Sequence, residues 1–308
     1  MIETHQLSKY YGRLCALDRL DLELDKGDLF GFVGPNGAGK TTTMNILATL
    51  LIPTSGTAKV CGYSVHADGE KIRRSVGYMP DFLGVYDDLT VQEYLEFFGA
   101  AYGLARRERM RVINDVLDLT DLNYKRDAMV SSLSRGMTQR LGVARVLIHD
   151  PQVLILDEPA SGLDPRARIE MRELFKELRN MGKTIMLSSH ILSELHEMCN
   201  KVGILEQGKL VFFGTLDDVK LKLGVHGRVR IRVEADAERA MKVLAGLPEV
   251  AGVEQQDGEL VVTRTEQSAS NAPLAAALVQ AGIGIDSMTP QDIKLEDAFM
   301  QLTEGLVQ

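Results

Sequence analysis

Residues Gly34 to Thr42 read GPNGAGKTT and match the spacing G-x-x-x-x-G-K-[ST]. A polyphosphate needs many donors within a small concavity. Glycines let the backbone wrap with its N–H groups inward, and a following helix N-terminus adds positive potential. Gly34, Pro35, Asn36, Gly37, Ala38, Gly39, Lys40, Thr41 and Thr42 are therefore candidate nucleotide-binding residues. Lys40 is of the type that reaches β- and γ-phosphates, and the Thr41 hydroxyl is placed to ligate Mg²⁺. A second element, VLILDE at 153–158, is an apolar run ending in two acids. Asp157 suits a metal held through water. Glu158 suits a general base that activates an attacking water. Either acid alone fits an ordinary strand end. With the phosphate loop, the pair indicates binding and hydrolysis of a nucleoside triphosphate.

These residues need elements that hold them. Leu20, Leu22 and Leu24 alternate with Asp21 and Glu23, which predicts a half-exposed strand. Leu29–Val33 predicts a buried strand leading into the glycine turn, and the helix after it is expected to run until Pro53 and Gly56. Strands are expected at 57–61, 75–79, 153–156 and 184–187, a helix near 165–180, and a hairpin over 201–214 turning at Gly208. The stretch from about 85 to 147 is mainly helical, which predicts an insertion in an α/β domain.

The pattern restarts after KLGVHG, so the boundary is placed between a first domain, 1–221, and a second, 228–308. The second reads βαββαβ, the order of a ferredoxin-like α+β unit, with a hairpin across Asp257-Gly258 and a last amphipathic helix at 295–302. The 308 residues carry 35 Lys and Arg against 43 Asp and Glu, a net charge of −8, so nucleic acid is not an expected partner. Three scattered cysteines form no metal or disulfide framework. The N-terminus lacks an apolar signal core, and no run is long enough to cross a bilayer.

With these motifs in register, the chain resembles the ATP-binding subunits of ABC transporters over residues 2–220. LSRGMTQRLGVARVL from Leu133 is similar to the family signature, and SGLD at 161–164 to its D-loop. His190 is similar to the switch histidine, and Tyr11 to the aromatic residue that stacks on adenine. MPDFLGVYDDLTVQEYL and LEDAFMQLT resemble the multidrug and antibiotic (daunorubicin-type) ABC-2 exporters. The resemblance implies a P-loop ATPase fold: a mixed sheet core, an antiparallel β subdomain and a helical insertion. It implies ATP and Mg²⁺, with Glu158, His190 and Lys40 catalytic. It also implies a head-to-tail dimer in which Ser134 and Gly136 of one chain meet the γ-phosphate held by the other.

In that dimer Asp164 acts at the seam. Taken alone, Asp164 before Pro165 reads as a helix cap, and both readings stand. Implied partners are a second copy or related subunit and a multi-span permease, which places the chain on the cytoplasmic face of the cell membrane. The small domain would be regulatory or dimer-supporting. A non-transport ATPase acting on ribosomes or DNA is the alternative. Two departures stand out. The family glutamine after the YxP segment is Asp81, either a metal contact through water or a turn residue. The usual double glycine is Arg135-Gly136, with Arg135 either at the seam or facing solvent. Phe82, Tyr86 and Tyr94 either line a permease groove or pack the insertion's own core.

Overall fold

In β3 (Leu29–Val33) all five residues are buried, as a strand covered on both faces must be. The computed structural model describes residues 1–84, 86, 88–189, 195, 197–215, 218, 219, 222, 228–265 and 270–290. Strand β3 lies in a six-stranded sheet between β8 (Thr184–Ser189) and β9 (Lys201–Glu206). Next to β8 come β7 (Val153–Leu156) and β6 (Val76–Met79), all parallel. β10 (Lys209–Thr215) closes the other edge as the antiparallel arm of the hairpin.

A separate antiparallel sheet joins β2 (Leu14–Leu24), β1 (Ile2–Tyr11), β4 (Ser55–Val60) and β5 (Tyr63–Ser64) in that order. Leu20, Leu22 and Leu24 face a core shared with Phe30, Phe32, Met44 and Ile155, while Asp21 and Glu23 face solvent. The fold is thus α/β with an antiparallel subdomain.

α1 (Lys40–Leu47) follows the glycine turn. It stops six residues short of Pro53, because Thr49 adopts φ 62 and the Leu50 and Leu51 amides both return to the Asn45 carbonyl. After α2 (Gly69–Ser75), the insertion supplies α3 (Val91–Ala101), α4 (Arg106–Leu119) and α5 (Arg135–Leu147). Thr90 and Glu93 form a reciprocal capping box at the start of α3. α6 (Pro165–Asn180) packs Met171, Leu174, Phe175 and Leu178 inward.

The chain divides into two compact units, Met1–Leu216 and Asp217–Gln301. The second holds β11 (Arg228–Val233), α7 (Ala237–Ala245), β12 (Val250–Gln256), β13 (Glu259–Arg264), α8 (Ala272–Gln280) and β14 (Ile285–Pro290). Its sheet order is β12-β13-β11-β14, entirely antiparallel, the ferredoxin-like arrangement. Val229, Ile231, Leu244, Val262, Leu274 and Leu278 form its own core. The expected helix at 295–302 lies outside the described residues.

Candidate nucleotide site

Gly34, just after β3, and Gly39, just before α1, lie too close to other backbone to carry a side chain. A Cβ on Gly34 would lie 2.3 Å from the Leu205 carbonyl oxygen. One on Gly39, which has φ +108, would lie 2.5 Å from the Ala16 oxygen. The loop is braced from behind, where the Gly208 amide of the hairpin turn donates to the Ala38 carbonyl at 2.9 Å. Asn36 and Gly37 stay exposed at the rim, Pro35 is half-buried, and Ala38 is buried. No side chain caps α1, unlike α3, α5 and α6, so its first amides have no side-chain acceptor.

Lys40 lies beneath this loop and is only 7% exposed. Its ammonium donates to the carbonyls of Gly34 (2.6 Å) and Pro35 (3.2 Å). Burial pulls its pKa down from the ordinary lysine value, and the nearby Glu158 and Asp157 carboxylates oppose that shift. The Thr41 hydroxyl donates to Asp157 Oδ2 at 2.7 Å, which joins the phosphate loop to the end of β7. Thr42 is half-buried one residue further on.

Asp157 and Glu158 are brought together with Thr41 by a residue the sequence reading missed. Ser188, fully buried at the end of β8, donates to Asp157 Oδ1 at 2.6 Å. The same hydroxyl accepts the Glu158 amide at 2.8 Å. Glu158 has φ 50, a strained value for a side chain of its size, and that amide bond helps to hold it. TIMLSS shows an apolar run ending in two hydroxyls, but it is the β7–β8 register that sets Ser188 level with the acids. Tyr78 on β6 also faces this region. Burial and the Asp157 charge push its phenol up to about 12, so it remains a neutral hydroxyl.

Three further expected residues are Tyr11, Asp81 and His190. Tyr11 is half-exposed at the end of β1, with the Lys9 ammonium 5.3 Å from its ring centre. Asp81 is exposed two residues beyond the end of β6, where the Met79 carbonyl accepts the Asp157 amide at 2.8 Å. His190 lies outside the described residues.

Ser134, Gly136 and Asp164 form a second group at the starts of α5 and α6. Ser134 Oγ accepts the Met137 amide at 3.4 Å as the cap of α5. Asp164 accepts the amides of Arg166 and Ala167 at 3.0 and 2.9 Å, so the expected cap is present with Pro165 behind it. Gly136 lets α5 approach α6, since a Cβ there would stand 3.3 Å from Ala167 Cβ. Arg135 is exposed, and its Nε donates to the Ser161 carbonyl at 3.1 Å. Among the described residues, no hydrogen bond joins Ser134, Arg135, Gly136 or Asp164 to residues 34–42.

The donor set fits a nucleotide with a hard divalent ion. A nearly buried ammonium among carbonyls, with uncapped amides above it, is chemistry suited to an anion. No group of three His, Cys, Asp or Glu side chains able to hold a metal exists among the described residues. One carboxylate and one hydroxyl already in contact are what Mg²⁺ uses when phosphate oxygens and water complete its shell.

Comparison with known proteins agrees with this geometry. Residues 17–161 match the family described as ABC transporter. The chain is 34% identical over 307 residues to the bacitracin transport ATP-binding protein BcrA of Bacillus licheniformis, covering 99% of this chain and 98% of that protein. It is 35% identical over 306 residues to the Nod factor export ATP-binding protein I of Cupriavidus metallidurans, covering 98% and 97%. A solved ATP-binding subunit of an ABC transporter superposes with a TM-score of 0.67 at 32% identity, over 74% of this chain and 95% of that one.

Proposed function

This chain belongs to the family of ABC transporter ATP-binding proteins, and from that premise we propose that its ATP hydrolysis powers export of a substrate through a separate multi-span membrane permease. The observation that carries the reading is the bonded set Thr41–Asp157–Ser188–Glu158 together with the buried Lys40 ammonium and an uncapped helix N-terminus. The relatives named for bacitracin transport and Nod factor export match along nearly the whole chain, including the second unit, and support the export reading.

In the proposed mechanism the loop amides and Lys40 bind the triphosphate and offset its charge. Thr41 and Asp157 would hold Mg²⁺, which supplies charge neutralisation on the phosphate oxygens when bound. Glu158 accepts a proton from water as the water oxygen bonds to the γ-phosphorus. The bond from that phosphorus to the bridging oxygen of ADP breaks, releasing ADP and phosphate. Tyr11 is assigned to adenine, and His190 to the γ-phosphate.

Ser134, Gly136 and Asp164 lie on a surface of their own and have no bond to the loop of their own chain. A second chain placed head to tail supplies the missing half of each site, and hydrolysis loosens that joint. Permease contact is assigned to the insertion, where Phe82 is 85% exposed and the Tyr86 and Phe97 rings meet edge to face at 5.5 Å. Tyr94 is not part of that surface; it is fully buried, with its hydroxyl accepting from Arg145. Residues 1–221 thus act as the ATP-binding domain on the cytoplasmic face of the membrane, and residues 228–308 as a regulatory or dimer-supporting domain.

Detergent extraction followed by affinity purification of this chain tests the proposal. Enrichment of a multi-span protein that changes its ATPase rate is the expected result. A rate indifferent to every co-purifying membrane protein overturns the transport role.

A further inference from the structure

Arg135 stands where the resemblance leads one to expect glycine, and the fold has made room for it. Its guanidinium lies flat over Gly162: a Cβ there would fall 2.3 Å from Arg135 Cζ and 2.6 Å from both terminal nitrogens. Gly162 has φ +67, and its neighbour Ser161 turns its carbonyl to accept Arg135 Nε at 3.1 Å. Arg168 Nε of α6 donates to the Leu163 carbonyl of the same segment at 3.0 Å.

Further along α5, Arg140 makes a second tie. Its side chain is 12% exposed; it pairs with Glu170 on α6 and lies 3.2 Å from Asp121, which follows α4. Arg166 reaches the same Glu170 carboxylate at 3.1 Å.

We infer that Arg135 is a positioning residue that latches the signature helix α5 to segment 161–164 of its own chain, so that Ser134, Gly136 and Asp164 move as one body. The inference rests on the proposed function, since it concerns the surface assigned there to the second chain's nucleotide. A planar guanidinium committed by its Nε to one carbonyl and stacked on one Cα is a directional contact, which a point charge does not reproduce. The latch therefore sets geometry at the joint and acts on turnover through Ser134 and Asp164.

The full chain carries the test. Arg135→Gly and Gly162→Ala each break the latch, one by removing the guanidinium and the other by filling its seat. Each is expected to lower kcat about fivefold with the KM for ATP within about twofold, and the double variant to be no worse than the poorer single. Hydrogen exchange in 159–164 should rise in Arg135→Gly while 153–156 stays unchanged. Arg135→Lys, which keeps the charge and folds without demanding space, should behave as Arg135→Gly does. Defects that multiply to about 25-fold in the double variant overturn the latch. So do unchanged exchange at 159–164, an even rise along the whole chain, or full rescue by lysine. Failure of the underlying reading looks different: wild-type protein would not hydrolyse ATP whatever residue stands at 135.

Discussion

Replacing Ser188 with alanine removes one hydroxyl and disturbs both acids. That hydroxyl donates to Asp157 at 2.6 Å and accepts from the Glu158 amide at 2.8 Å, at a position with no exposed surface for water to enter. A hydrogen bond to a charged group contributes about 1.5–3 kcal/mol, and the half-buried Glu158 amide loses its Ser188 acceptor, a neutral bond of about 1 kcal/mol. The two losses share one deleted atom, so a destabilisation of about 3 kcal/mol is expected. In a unit of this size that lowers the Tm by about 6–12 °C. Glu158 would also lose a brace for its left-handed backbone, and kcat is expected to fall about 10- to 100-fold. The Lys40 loop is untouched, so the affinity for ATP should stay within about threefold of wild type. Thermal unfolding, nucleotide titration and steady-state ATPase of the same preparation check all three. A Tm within about 1 °C of wild type with unchanged kcat would refute the assigned role of Ser188.

Gly39→Ala places a Cβ 2.5 Å from the Ala16 oxygen at φ +108, so it should cost at least about 2 kcal/mol and weaken ADP affinity more than tenfold; a fluorescent-nucleotide titration reads this directly. Asp164→Ala removes acceptors for two α6 amides and should cost about 1 kcal/mol in chemical denaturation, with Asp164→Ser recovering most of it. Burial raises the pKa of Asp28, but bonds from Lys201, Asn200 and the Asp25 amide outweigh it and hold the carboxyl below its ordinary 3.8. A carboxyl lowered by folding stabilises above its unfolded pKa and loses that effect as pH falls through the folded value. Stability measured between pH 6 and 3 should therefore fall less steeply below about pH 4 in Asp28→Asn than in wild type.

Elements with strong local signals were legible in the sequence. β3, β7 and α6 lie where the apolar runs and the Asp-Pro start placed them, because burial on both faces and a proline at N1 are written into adjacent residues. β1 was not: Gln6 at φ 48 and register shifts between Thr4 and Leu7 and between Leu7 and Lys9 break its alternation. The end of α1 was also hidden, since it depends on the Thr49 turn and not on Pro53. Within the site, Thr41 bonds Asp157, and Lys40 lies against the carbonyls of its own loop. Ser188 and the Arg135–Ser161 contact depend on non-local pairing, which residue types alone do not specify.

The central claim is that ATP joins two copies of this chain. Sedimentation of Glu158→Gln with saturating Mg-ATP, and again with Mg-ADP, tests it most directly. Glutamine cannot take up the proton from water, so the ATP-bound state should persist. A dimer with ATP and a monomer with ADP is the predicted outcome. A monomer with ATP demonstrably bound contradicts it.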